Sequence, residues 1–325
     1  MTLDLGGHRL IGSGSGVGVQ ISPDSVGGNT VRNGTIKNWR IGISFEDGAT
    51  DPVVPHQVTD VELRSAPYEG LPSTQITRLT AVDSSVSGGF GVFAISQSKL
   101  TRSPINLFRA TLTITDSILV QSPFSDVLES TIMIDSSRLD GNGVSAFGIF
   151  SESPLTITDS VVKNFQTPIT GYWGSVTLTK NKFTDMPNGV LGDISSRGAF
   201  GYSVSHIVGN TFTRSGVVLR GEVPMVVENN TFTQNTVGVE FTIPPPLDPT
   251  DPPPTATLSR AVGNTFTKNS GSGLKTELAG LEVGGNTAKK NGGYGIYAPG
   301  AFDLGGNIAS GNVLGDCVGV ACTSK

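Results

Sequence analysis

Two groups of side chains in this sequence combine proton-transfer residues with cations. The first comprises Arg40, His56, Arg64, Tyr68 and Glu69, and the second Asp193, Arg197, Tyr202 and His206. His, Tyr and carboxylates can take or give a proton, and Arg can steady negative charge developing on a substrate oxygen. The chain holds 3 His in all. His56 and His206 fall in or beside irregular stretches, whereas His8 follows the Gly6-Gly7 turn and reads as a turn residue. A lone Arg on a strand face is more often simply solvated. A third set, Asp116, Asp135 and Asp159, recurs at nearly regular intervals. Glycoside hydrolysis wants two carboxylates roughly 5–9 Å apart. Recurrence through several repeats instead argues for a turn role.

Such groups need a scaffold, and the scaffold is repetitive. Gly209-Asn210-Thr211-Phe212, Asn229-Asn230-Thr231-Phe232, Gly263-Asn264-Thr265-Phe266, Gly285-Asn286-Thr287 and Gly306-Asn307-Ile308 place one Asn every 20, 34, 22 and 21 residues. The long step contains a proline-rich insertion. A period near 21 marks a stack of strands in which each turn lies on the one before. Each repeat opens with an alternating strand such as Leu112-Thr113-Ile114-Thr115-Asp116 or Leu155-Thr156-Ile157-Thr158-Asp159. The period of two sends Leu, Ile and Val inward and Thr outward. A Gly-led pair of apolar residues follows, as in Gly42-Ile43-Ser44-Phe45 and Gly238-Val239-Glu240-Phe241. The expectation is an all-β, right-handed parallel β-helix of roughly 12 coils, a single domain spanning 1–325. Asn181, Asn210, Asn230, Asn264, Asn286 and Asn307 are expected to stack as an amide ladder. Phe183, Phe212, Phe232 and Phe266 are expected to stack in the core.

Composition narrows the function classes. Charged residues make up 15% of the chain, the formal net charge is −5, and no basic block occurs. Nucleic-acid binding, which calls for a cationic stripe, is not expected. No stretch approaches 18 apolar residues, so no membrane span is expected. Cys317 and Cys322 bracket four residues near the C-terminus. They could close a small disulfide loop worth roughly 2 kcal/mol, remain free thiols or, less readily, bind metal. A disulfide would place the protein in an oxidising compartment. The sequence enters a strand pattern at Thr2 without an export segment. Secretion, with such a segment lying ahead of this sequence, is the expectation.

Irregular stretches interrupt the coils at about 46–57, 195–205 and 242–259, each after a strand of the Gly-led kind. Insertions at one turn of a solenoid project from one face and would wall a groove. A cap is expected at about 303–325.

The opening Leu3-Asp4-Leu5-Gly6-Gly7-His8-Arg9-Leu10-Ile11-Gly12-Ser13-Gly14, the Asn-rich run Asn29 to Asn38, and the ending Gly305-Gly306-Asn307 to Cys322 resemble secreted actinobacterial right-handed β-helix proteins of the pectate-lyase-like superfamily. The resemblance covers nearly the whole chain, but its motifs build coils. It implies a carbohydrate-active protein, a polysaccharide lyase or epimerase with a glycan partner, in which Ca2+ can serve as the cation. Arg40, His56, Arg64, Tyr68, Arg197, Tyr202 and His206 are then the candidate catalytic residues. The pectate lyase, polygalacturonase and alginate epimerase signatures are absent; Asp51-Pro52-Val53-Val54-Pro55-His56 matches none of them. That departure leaves open a non-catalytic secreted or cell-surface β-helix that binds glycans or protein. A structural or ice-binding solenoid is a third, weaker reading.

Overall fold

The computed structural model describes residues 1–325 except 22–27, 47–53, 71–72, 144–145, 173, 196–203, 221–224, 243–258 and 325. The chain divides into two compact units, Met1–Ile149 and Phe150–Lys325. Each is built as a right-handed parallel β-helix, and the described residues contain no helix.

In the first unit a representative turn consists of Val92–Ser96, Lys99–Thr101 and Ile105–Phe108. It lies in parallel register on Thr74–Thr77, Thr80–Val82 and Val86–Gly89 of the preceding turn. The alternation seen in the sequence sets which face is inside. Within Thr111–Thr115, Leu112 and Ile114 are buried while the three Thr stay half-exposed. Burial of one such Leu or Ile is worth about 1.5–3 kcal/mol, so the inward phase fixes the register.

The strands are joined by bends in which single non-glycine residues take the left-handed conformation, including Arg78, Gln97 and Asp116 at φ 53°, 50° and 47°. A second series, Asp83, Arg102 and Gln121, does the same one bend later. Asp159, in the second unit, is also left-handed at φ 45°. At the equivalent point of another turn, Ser136 takes the bend and Asp135 ends its strand. The recurring Asp residues therefore sit at and beside bends.

After the bends at Asp83, Gln97, Arg102, Asp116 and Gln121 a serine turns inward. The Ser117 hydroxyl accepts the backbone N–H of Ser98 at 3.1 Å, and its own proton goes to the carbonyl of Thr115 at 2.7 Å. Ser103 repeats the arrangement with Ser84. These contacts satisfy bend amides that would otherwise be buried without partners.

The second unit uses Asn in the same role. Asn181, Asn210, Asn230, Asn264, Asn286 and Asn307 form the expected ladder, with side-chain amide to side-chain carbonyl distances of 3.0–3.2 Å. A second ladder, Asn235, Asn269, Asn291 and Asn312, runs beside it. Between the two, the rings of Phe183, Phe212, Phe232 and Phe266 stack in sequence at 5.1, 4.8 and 5.1 Å. Large aromatic surfaces thus fill the interior while the amides hold the turns in line.

The last turn is closed by polar caps and a crosslink. Asp316 accepts the amide of Asn312 at 2.8 Å, and Asp303 accepts the backbone N–H groups of Gly305 and Ala321. Cys317 and Cys322 form a disulfide with Cα atoms 6.2 Å apart.

Candidate functional site

The first group of candidate residues is divided between the interior and the surface. His56 is 2% exposed and stacks on Phe45 at 4.5 Å, its Nδ1 accepting the backbone N–H of Asn29 at 3.3 Å. Tyr68 is fully buried, 6.0 Å from the same Phe45 ring, and its hydroxyl donates to Thr74 at 2.8 Å. Burial pushes the Tyr68 phenol far above its usual range. The two residues most suited to proton transfer therefore meet inside the coil, around Phe45. Their strand phase accounts for this: His56 shares the inward phase with Val58, and Tyr68 lies in register with Ile43 and Val86.

Arg64 is exposed and tied to Glu62, whose carboxylate it holds below its ordinary value with help from Thr35. Arg40 is exposed at the bend before Ile41–Phe45. In the second unit, His206 lies exposed on Ser205–Val208, in register with Thr177 and Val226. Arg197 and Tyr202 lie outside the described residues, as do the insertion segments 47–53, 196–203 and 243–258. Connectivity is nonetheless regular within each unit. In the first, 22–27, 47–53 and 71–72 follow Val17–Ile21, Ile41–Phe45 and Tyr68–Gly70, which are adjacent strands of one sheet.

That sheet carries a groove in the first unit. Its outward row runs through Ser44, Glu69, Ser87 and Asn106, each in register with the next. Neighbouring members are therefore about 4.8 Å apart, the strand spacing. The Asn106 amide donates to Ser87 at 3.2 Å, and Gln20 holds the Glu46 carboxylate at 2.8 Å. Beside the row the chain reads Gly88-Gly89-Phe90, and a hollow of about 450 Å³ opens where Gly89 places no side chain on the outer face. Gly88 faces the packed interior, and a Cβ there would come within 2.8 Å of the Phe93 ring. Gly89 pairs with Phe108 on the outer face.

Phe90 and Phe108 form the aromatic wall, edge to face at 5.3 Å, with 58% and 38% exposure. Arg109 sits over the Phe108 ring at 5.0 Å, fixed by two hydrogen bonds to Glu129 of 2.6 and 3.1 Å. The pair stands beside the polar row of Ser44, Glu69, Ser87 and Asn106 and extends to the exposed Leu128, in register with Phe108. A contiguous exposed apolar patch of this kind marks a binding surface. Among the first candidates only Glu69 reaches the groove; Ser87, Phe90, Asn106 and Phe108 do not appear in the sequence reading. The available signal was the outward phase of Phe108 in Ile105–Phe108, next to the glycine pair Gly88-Gly89 one turn earlier.

Among the described residues no group of three or more His, Cys, Asp or Glu is placed to hold a metal ion. No helix of the described residues is long and apolar enough to cross a membrane.

Residues 129–314 match the right handed beta helix region family. The match covers more than half of the chain, and the protein belongs to that family. No curated protein sequence matches it. Among solved structures, it is similar to the catalytic unit of a thermostable GH87 alpha-1,3-glucanase from Streptomyces thermodiastaticus, at 16% identity and TM-score 0.45, covering 94% of this chain and 65% of that one. It is also similar to the tailspike protein 3 of Bacteriophage CBA120, at 12% identity and TM-score 0.44, covering 96% and 51%. A double mutant of the periplasmic alginate epimerase AlgG gives 10% identity and TM-score 0.36, covering 96% and 79%. The chain spans about two thirds of the glucanase unit and half of the tailspike.

Proposed function

We propose that this protein is a secreted glycan-binding β-helix that holds its ligand in the groove of the first unit. One observation carries the reading: an exposed aromatic pair, Phe90 and Phe108, flanks an in-register row of Ser44, Glu69, Ser87 and Asn106. A pyranose offers an apolar C–H face to an aromatic wall and a rim of hydroxyls to hydrogen-bonding side chains. A concave surface with apolar walls and a few aimed polar groups suits that chemistry. The repeat of the row, about 4.8 Å, suits a polymer, because successive strands offer successive polar contacts. Secretion is supported by the Cys317–Cys322 disulfide, a bond that persists in oxidising compartments.

Recognition is favoured over elimination chemistry at this groove because its lining holds carboxylates, hydroxyls and an amide, while His56 and Tyr68 are interior. The test is titration calorimetry with a panel of neutral and acidic oligosaccharides, on the parent and on Phe108→Ala. Saturable binding that weakens about tenfold in the variant, a loss of about 1.4 kcal/mol as for an interface aromatic, is the expected result. Unchanged binding in Phe108→Ala would remove the groove from consideration. Release of unsaturated product from a uronic-acid polymer, read by ultraviolet absorbance, would establish a polysaccharide lyase instead.

A further inference from the structure

Resting on the groove reading above, we infer that the glycan taken by the first unit is an uncharged polysaccharide, and that Glu69 and Glu46 select it by turning acidic polymers away. Among the described residues, the charged side chains that line the groove are these two carboxylates, and no Lys, Arg or His lines it. Glu69 is exposed and stands in register between Ser44 and Ser87, so a chain lying along the row passes directly over it. Glu46 is held by the amide of Gln20 at 2.8 Å, which fixes a second carboxylate at the same wall. The bordering cation, Arg109, has its guanidinium committed to Glu129 and to the face of Phe108.

Carboxylates are acceptors only, and they form strong hydrogen bonds with hydroxyl donors. A neutral sugar presents several such donors and meets both groups favourably. A uronate brings its own carboxylate against them without a cation to separate the charges. Like charges at neighbouring-residue spacing cost on the order of tenfold in affinity even in a wet groove. The aromatic wall contributes to both kinds of sugar alike, so it sets affinity while the carboxylates set charge selectivity.

The experiment compares calorimetric titrations of neutral gluco-, xylo- and manno-oligosaccharides with galacturonate and alginate oligosaccharides of equal length. Parent protein, Glu69→Gln, Glu46→Gln/Glu69→Gln and Phe108→Ala are tested at low and high salt, with melting curves to confirm folding. The expected result is a neutral ligand bound at least tenfold more tightly than any uronate. In the double variant, or at high salt, that gap should close to less than about threefold. Uronates bound as tightly as neutral sugars by the parent, with loss in Phe108→Ala, would overturn the charge inference while leaving the groove reading standing. Binding of both ligand kinds untouched by Phe108→Ala would overturn the groove reading and the inference with it.

Discussion

Asn181 and Asn210 are joined twice: the side-chain carbonyl of Asn210 accepts the backbone N–H of Asn181 at 2.8 Å and its amide at 3.1 Å. The Asn210 amide also donates to the Leu178 carbonyl of the preceding turn at 2.8 Å. One side chain thus satisfies a buried donor and a buried acceptor of the turn beneath it, and orients that turn's own amide.

Asn210→Ala strands the Asn181 N–H and the Leu178 carbonyl in the core, at about 1–3 kcal/mol for each. Asn210→Ser shortens the arm but keeps a hydroxyl that can accept, as serine does in the first unit, and should cost less. Denaturant melts of the two variants check the order; equal losses would contradict the hydrogen-bonding account.

The interior beneath the groove is tightly filled. A Cβ at Gly70 would collide with the Tyr68 hydroxyl. Gly70→Ala should destabilise by about 1–3 kcal/mol through overpacking. Tyr68→Phe removes the obstructing oxygen, so the double variant should lose less than the sum of the two single losses. Strict additivity would mean the collision is relieved elsewhere.

Acid should weaken the fold through its surface ion pairs. Asp60, Asp83 and Asp185 are each gripped by Arg78, Arg102 and Arg214, whose hydrogen bonds hold the carboxyls below the ordinary Asp value of 3.8. Their folded-state values lie under the unfolded ones, so the unfolded chain binds more protons at low pH. This contribution is fully present above the unfolded value and is lost as pH falls through the folded value. The melting temperature should be flat near neutrality and begin to fall below about pH 4. Asp83→Asn suits the left-handed bend at φ 50° and should make the fall shallower. These pairs are exposed, so added salt should shrink the effect. A slope unchanged by salt and by Asp83→Asn would assign acid sensitivity to other groups.

At the C-terminal cap, reduction of Cys317–Cys322, or Cys317→Ser, should cost roughly 2 kcal/mol by loop entropy. Amide hydrogen exchange should rise first in Gly315–Val318 and Asn307–Ser310, the strands beside the crosslink. Uniformly faster exchange across the second unit would instead indicate a cap that governs global unfolding.

Sequence and structure agree most closely where physics repeats. Thr-Leu-Thr-Ile-Thr and Gly-Asn-Thr-Phe each signal an inward phase, a bend and a ladder residue, and each recurs often enough to be read. The Asn ladder through Asn210 and the stack through Phe212 were legible for that reason. The second ladder was equally present in the sequence, since Asn235, Asn269, Asn291 and Asn312 each follow a first-ladder Asn by five residues. It was obscured because no constant Gly-Asn-Thr-Phe setting marks it: Gln234, Lys268, Lys290 and Gly311 precede its four members. The groove was harder to see. Ser44, Glu69, Ser87 and Asn106 form no motif along the chain and become neighbours only through turns of slightly unequal length. His56 and Tyr68 attracted attention as proton carriers, yet their alternation with Val58 and Gly70 already carried the inward phase.

The stacked amides of the second unit have a consequence for how this protein ages. Each Asn bonds no farther than its own turn and those directly above and below it, as Asn264 does with Asn230 and Asn286. Deamidation or a coding error at one rung therefore injures its immediate neighbours and leaves more distant rungs with their bonding intact. The molecule is built to tolerate scattered lesions one at a time, and two adjacent ones should be far more harmful than two set apart.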